Sequence, residues 1–209
     1  MKKNKDLILI QALRLFNDQG YLNVSIRQIA AATGISHSNL IYHYKTKQDI
    51  VTALHNQLLE EAKKLNKETK KPADFVETLY NSTRKGFLIL YNYRFLMADL
   101  HHILKDNPSL KQLFLEVEKI RAIMYADSIK EAVTQGYLRK EIYDNEYRFF
   151  IEHIKIYSDS WITSSLIYEE NTEEAIVLKY TDLFVRMFFP YFTEKGRHRF
   201  FEYHQSSLT

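Results

Sequence analysis

Nine side chains between Ser25 and Lys47 carry groups that a DNA duplex can engage: Ser25, Arg27, Ser36, His37, Ser38, Asn39, Tyr42, His43 and Lys47. An asparagine such as Asn39 can bond an adenine edge through its amide oxygen and nitrogen together, a pairing worth about 1–3 kcal/mol of discrimination. The Arg27 guanidinium suits a phosphate or a guanine edge, the Tyr42 hydroxyl a phosphate, and His43 either a base or the backbone. Each also has a plainer reading, Asn39 as a second local cap and His43 as a seal on a helix end.

The elements that must position these groups are legible in the same stretch. Ser25 can cap a helix by accepting from otherwise orphan amides, and Ile26, Ile29 and Ala30 then fall at i, i+3, i+4 to give one apolar face. Gly34 follows Thr33 where a helix end needs a left-handed residue. Small groups at Ala30 and Gly34 would let two helices cross closely. Ser36 can cap a second helix, with Leu40, Ile41 and Tyr44 on its buried side and His37, Ser38 and Asn39 in its first turn. That is a helix-turn-helix, whose second helix offers its N-terminal residues to base edges. Thr46 opens a further helix with Asp49 three residues on, a variant capping box. Lys47 then lies in a first turn, where free amides and the ammonium together favour an anion. Upstream, Ile8, Ala12, Leu15 and Phe16 form a helical stripe that Gly20-Tyr21 ends.

With these residues in view, the chain resembles the tetracycline-repressor (TetR) family of bacterial regulators. The matching run is Ala12-Leu13-Arg14-Leu15-Phe16, Gly20-Tyr21, Ser25-Ile26-Arg27-Gln28-Ile29-Ala30, Thr33-Gly34-Ile35-Ser36 and Leu40-Ile41-Tyr42-His43-Tyr44-Lys45-Thr46-Lys47, about a quarter of the chain. Tyr44 stands where phenylalanine is usual in the family, Ile41 where tyrosine is common and His37 where lysine is frequent. The resemblance implies a ligand-responsive repressor that works as a homodimer on a roughly palindromic operator in double-stranded DNA. It also implies that Arg27 and Lys47 stand at contact positions.

Composition sets bounds. The 209 residues, 45% hydrophobic and 26% charged, are enough for one large domain or two smaller ones with a substantial core. Five glycines and three prolines disfavour a turn-rich all-β fold, and fifteen tyrosines with thirteen phenylalanines point to bulky packing or an aromatic-lined cavity. No cysteine is present, which removes disulfides, thiolate metal sites and cysteine nucleophiles and fits a reducing cytoplasm. No run approaches the ~18 apolar residues needed to span a bilayer, and no secretory segment follows the charged N-terminus. Residues 1–47 hold seven Lys and Arg against Asp6 and Asp18, net +5, while the remainder holds 22 basic and 24 acidic residues, net −2. A basic front on a near-neutral body suits a polyanion partner for the front alone. Lys2, Lys3 and Lys5 read equally well as a solvated tail or as phosphate contacts.

The spacing predicts an all-α chain of nine or ten helices. The expected organisation is a helix-turn-helix domain over residues 1–50, a connecting helix and linker over 51–72, and a helical effector-binding and dimerisation domain over 73–209. The Lys63-Lys64…Lys70-Lys71-Pro72 stretch is the candidate link. Helices are expected over Ala73 to about Tyr91, Phe95 to an end at Asp106-Asn107-Pro108, Pro108–Thr134, Tyr147–Tyr168 and Glu173–Tyr191, with a short piece after Gly196. The Tyr147–Tyr168 and Glu173–Tyr191 helices carry two stripes: Phe150, Ile154, Tyr157, Trp161, and Ile176, Tyr180, Leu183, Phe184, Met187, Phe188, Tyr191. Paired with a second subunit they would make the four-helix dimer interface that the family implies; alone they would be core.

A sensor needs a cavity, and Tyr80, Phe87, Tyr91, Tyr93, Met97, His101, Tyr125, Tyr157 and Trp161 are the pool for its walls, although aromatic sets at helical spacing are usually core. Glu152, His153 and Asp159 are polar groups in a bulky helix that could orient a small-molecule effector. Neither cofactor nor metal is expected. An enzyme is the first rival, but there is no Gly-rich phosphate loop, nucleophile elbow or His-Glu-x-x-His pattern. Asp99, His102 and Asp106 at i, i+3 and i+7 leave a metal site geometrically conceivable. The second rival, a helical interaction module without DNA binding, should lose the polar tips that Arg27, Asn39, Tyr42, His43 and Lys47 retain. A membrane-surface role would need a more continuous basic amphipathic helix.

Overall fold

The computed structural model describes residues 2–68 and 74–206, and within them every regular element is helical. In order these are α1 (Lys2–Gln19), α2 (Ile26–Thr33), α3 (His37–His43), α4 (Lys47–Glu68), α5 (Phe75–Asn92), α6 (Phe95–Ala98), α7 (Leu100–Asp106), α8 (Pro108–Thr134), α9 (Glu146–Tyr168), α10 (Glu173–Arg186), a 3-10 turn (Phe189–Tyr191) and α11 (Glu194–Ser206). Eleven α-helices thus replace the expected nine or ten. The extra break falls at Asp99, where the segment expected from Phe95 to Asp106 divides and the Asp99 carboxylate accepts from the Tyr21 amide at 2.7 Å. The Lys70-Lys71-Pro72 part of the candidate link lies outside the described residues.

Two compact units emerge, one drawn from Met1–Lys64 and Ile89–Phe114, the other from Leu65–Leu88 and Leu115–Thr209. Residues 89–114 therefore group with the N-terminal segment rather than with the rest of the expected 73–209 domain. In the first unit the predicted stripe is buried: Ile8, Ala12, Leu15 and Phe16 join Tyr21, Ile29, Leu40, Ile50, Leu54 and Phe95. Phe16 packs on Tyr21 at 5.8 Å and on Phe95 at 4.9 Å between ring centroids. Asn17 locks the 92–95 turn to α1, its Nδ2 donating to the Asn92 carbonyl at 2.8 Å and its Oδ1 accepting from the Phe95 amide at 3.2 Å.

The second unit is organised by aromatic stacking. Phe87 lies flat on Trp161 at 4.6 Å with an interplanar angle of 14°, and edge-on to Phe184 at 5.6 Å. The Tyr157 hydroxyl donates to the Tyr180 carbonyl at 2.7 Å, tying α9 to α10. Burial of such rings, each removing 150–250 Å² from water, dominates a core of this kind. The α8–α9 connection turns through Gly136 and Asn145, both with positive φ. It is clamped by Arg139, whose two guanidinium nitrogens donate to the Glu146 carboxylate at 2.8 and 2.6 Å. That hydrogen bond holds the Glu146 carboxyl down at about 2, despite burial acting the other way. Gly196 is fixed by space: a Cβ there would stand 2.4 Å from the Tyr137 carbonyl oxygen.

Candidate nucleic-acid interface

Local hydrogen bonds build the reading head. At α2, the Ser25 Oγ accepts from the Gln28 amide at 3.3 Å while Gln28 Oε1 accepts from the Ser25 amide at 2.8 Å, a complete capping box. The helix ends at Gly34 with φ 72°, and the Ile35 amide closes onto the Ala30 carbonyl at 3.1 Å. A Cβ at Gly34 would meet nothing within 4 Å. The glycine is needed for its left-handed backbone, not for the close helix crossing that the Ala30–Gly34 pairing predicted. Ser36 caps α3 by accepting from the Asn39 amide at 3.2 Å. At α4 the Thr46–Asp49 box closes in both directions, at 2.9 and 3.1 Å.

On this frame α3 buries only Leu40, with Ile41 half-buried and Tyr44 buried at its end. Tyr44 is pushed up to about 12 by burial and, less, by Asp6. The opposite side is open: His37, Ser38 and Asn39 are exposed, and Tyr42 is 72% exposed with its ring edge-on to His43 at 5.3 Å. Ser38, Asn39, Tyr42 and His43 line one shallow recess of about 450 Å³ together with Asn4 from α1. Asn4 was not a sequence candidate. Its position in the basic N-terminal stretch is the only signal for it, because its nearness to α3 depends on how α1 packs. Arg27 is exposed on α2. Lys5 is not a free tail cation, since its ammonium lies 5.3 Å from the centroid of the Tyr44 ring. The Lys2 and Lys3 side chains lie outside the described residues.

Lys47 is placed differently from the expectation. Its ammonium turns inward, donating to the Tyr21 and Val24 carbonyls at 2.8 and 3.0 Å and lying 4.0 Å from the centroid of the Tyr21 ring. The loop after α1 leaves those carbonyls without helical partners, and a lysine at the start of α4, 23 residues beyond Val24, satisfies them. Burial lowers its pKa, against the raising pull of Asp106 and Asp99. Anion binding at the start of α4 would fall to the first-turn amides unless the ammonium gives up these bonds.

The nine residues of the expected cavity wall are divided between the two units. Tyr91, Tyr93, Met97 and His101 belong to the first unit, where Tyr93 donates to Glu61 at 2.7 Å and His101 is exposed. Tyr80, Phe87, Tyr157 and Trp161 are packed in the second unit; the Tyr80 hydroxyl donates to Asp182 at 2.9 Å and sits 2.6 Å from His204 Nε2. Tyr125 faces Arg121, which is held above its usual range by Tyr125 and Glu118 although burial opposes this. Tyr80, Phe87 and Trp161 are buried core rings, stacked on neighbouring aromatic residues, while Tyr125 and Tyr157 are half-buried.

None of the nine lines the recess of about 730 Å³ between α8 and α9. Its lining includes Ala122, Ile123, Ala126, Ile129, Val133 and Ile151, with Tyr147 and Glu152. The small Ala122 and Ala126, one turn apart on α8, were the sequence signal for it. Of the polar trio, only Glu152 reaches it; His153 is exposed, and Asp159 lies half-buried, pushed up to about 6 by burial and then by Glu118. The α9 and α10 stripes expected at a dimer interface are also turned inward: Phe150, Ile154, Trp161, Ile176, Tyr180, Phe184 and Phe188 are buried within the subunit. Only Leu183 of those stripes is exposed, and the outward apolar groups of the two helices are otherwise Phe149, Ile156, Leu166, Ile167, Tyr168 and Leu178.

Among the described residues no group of three or more His, Asp or Glu side chains could hold a metal ion. None of the described helices is long and apolar enough to cross a membrane.

A capped two-helix unit with an exposed polar tip, on a chain that is otherwise helical, defines a helix-turn-helix protein. Two family profiles agree with that class: one described as bacterial regulatory proteins of the tetR family matches residues 8–54, and one described as a bacterial transcriptional repressor, TetR, matches residues 56–200. The chain belongs to the TetR family of bacterial transcriptional regulators. Among solved structures it is similar to a TetR-family regulator from Marinobacter aquaeolei, with a TM-score of 0.85 and 22% identity over 97% of both chains. A transcriptional regulator from Saccharomonospora viridis in complex with choline superposes with a TM-score of 0.72 at 20% identity, over 89% of this chain and 97% of that one. AibR in complex with isovaleryl coenzyme A and operator DNA superposes with a TM-score of 0.68 at 20% identity, over 90% of this chain and all of the other.

Proposed function

We propose that the protein is a ligand-responsive repressor that binds a roughly palindromic operator as a homodimer and reads base edges with the first turns of α3. The observation that carries this reading is the convergence of Ser38, Asn39, Tyr42 and His43 with Asn4 on one open recess, on a helix whose far side is locked into the core. In this assignment Asn39 and His37 read bases, Ser38, Tyr42 and His43 bind base or backbone, and Arg27 and the first-turn amides of α4 neutralise phosphates. Ser25 and Ser36 position the two helices as caps.

Dimerisation through α9 and α10 would cover the exposed Phe149, Ile156, Ile167, Leu178 and Leu183. It would also present two reading heads to related half-sites. The effector acts in the second unit by favouring a dimer conformation whose heads no longer match the half-site spacing. That requires tighter binding to that conformation, and couplings of about 1–3 kcal/mol change operator affinity by roughly 5–150-fold. The choline and isovaleryl coenzyme A named for the two similar structures support an effector-responsive reading for this chain. Acting on DNA places its work in the cytoplasm.

Selection of binding sites from random duplex DNA by the purified protein, with its mass in solution measured alongside, tests the proposal. A two-fold-related consensus bound by a dimer is expected. No preference for any duplex over bulk competitor would defeat it.

A further inference from the structure

The groove between α8 and α9 combines an apolar floor with a cluster of three cations. Ala122, Ile123, Ala126, Ile129, Val133 and Ile151 supply the floor, and from Ala122 to Thr134 it follows α8 for about 18 Å at the helical rise. Lys130, Lys140 and Arg148 also line it, and none has an ion-pair partner among the described residues. Of its two carboxylates, Glu152 stands 3.7 Å from Lys155, while Glu141 accepts from the neutral Tyr147 amide at 2.9 Å and keeps its charge. Three cations against these two carboxylates leave the lining net positive.

The positive charge is also concentrated at one end. Lys130 lies two turns beyond Ala122 on α8, Lys140 belongs to the connection between the helices, and Arg148 is in the first turn of α9. Asn145 does not cap that helix with its own side chain, and the Tyr147 amide in its first turn is already taken by Glu141, so the positive end is set by the three side chains. Away from it the floor is alanine and isoleucine, interrupted by Glu152 at the rim.

We infer that this groove binds a small amphiphile with an apolar chain and a single carboxylate head, the chain along Ala122, Ala126 and Ile151 and the head at Lys130, Lys140 and Arg148. The volume of about 730 Å³ lies within the range of small-molecule sites. As the effector site it rests on the proposed function above; as a binding site it stands alone.

Calorimetric titration of the full chain with dodecanoate, below its critical micelle concentration, and with dodecan-1-ol tests it. Dodecanoate should bind at least about tenfold more tightly than the alcohol, the difference expected for a charge-assisted hydrogen bond. The exposed double change Lys130→Ala with Arg148→Ala should erase that preference while leaving alcohol binding unchanged. Ala126→Trp, with its helicity verified by circular dichroism, should abolish binding of both. Equal binding of acid and alcohol, no binding of either, or an Ala126→Trp protein that binds dodecanoate normally but dimerises poorly would overturn the inference, the last by making the groove a contact between copies of the chain. A protein that binds operator but not dodecanoate defeats this inference alone. One that binds no duplex defeats the function proposed above.

Discussion

α3 and α9 meet the rest of the molecule in opposite ways. α3 has seven residues and buries one of them, Leu40; α9 has 23 and buries seven, among them Phe150, Ile154 and Trp161. The first is held by what adjoins it in the chain, with Ser36 at its start, Gly34 before it and the Thr46–Asp49 box after it. The second is held by rings brought from α5 and α10. A reading head secured by neighbours in sequence can present almost all of its side chains to a partner. A helix secured by distant rings has only its flanks to spare, and the groove lies on one of those flanks.

The sharpest way to break that contrast is Trp161→Ala. It removes the largest fully buried side chain and should cost about 3–5 kcal/mol in urea unfolding. A loss under about 1 kcal/mol would mean that aromatic stacking is not what secures α9. Next is Lys47→Ala, which leaves the Tyr21 and Val24 carbonyls without their donor and should cost about 1–3 kcal/mol of stability as well as operator affinity. Arg27→Ala, at an exposed site, should instead spare stability, weaken binding to all sequences alike and flatten the salt dependence by about one unit of slope. Equal thermal midpoints for the two variants would return Lys47 to a purely phosphate-binding role. Asn39→Ala should relax preference at one operator position by about 1–3 kcal/mol, seen as degeneracy at a single base pair in a repeated site selection. Ser36→Ala removes the cap of α3 and should cost about 1 kcal/mol, a test of how far local bonds alone hold the head.

The smallest effect concerns Asp159. Its folded-state value of about 6 lies above the ordinary value of about 4, so between those pH values the folded chain holds more proton than the unfolded one. Stability from this group is complete below about pH 4 and is lost as pH rises through about 6. Asp159→Asn should therefore melt at a higher temperature than the parent protein at pH 7.5 and at the same temperature near pH 4. No difference at pH 7.5 would show that the Asp159 carboxylate is solvated in the folded chain.

The reading head was legible because its determinants are local. Caps, a left-handed glycine and i, i+3, i+4 spacing act within a few residues, so Ser25, Gly34, Ser36 and Thr46 announced their helix boundaries correctly. The misreadings came where a side chain chose between distant partners. Tyr91, Tyr93, Met97 and His101 went to the first unit because the 92–95 turn is tied to Asn17 of α1, more than seventy residues upstream. The stripes of α9 and α10 have the periodicity of an interface, and periodicity is the same whether a stripe faces its own core or a second subunit.

By itself the sequence determined the helical class, most helix boundaries and the outward polar tip of α3, since hydrogen bonds over three or four residues and the helical repeat settle these without reference to the rest of the chain. Tertiary structure alone decided that Lys47 turns inward, that Asn4 joins the recess at α3, and that the aromatic residues close into a core while Ala122, Ala126 and Ile151 line the open groove. Those outcomes depend on which surfaces remain to be buried once the helices have packed, and spacing along one chain cannot register that competition.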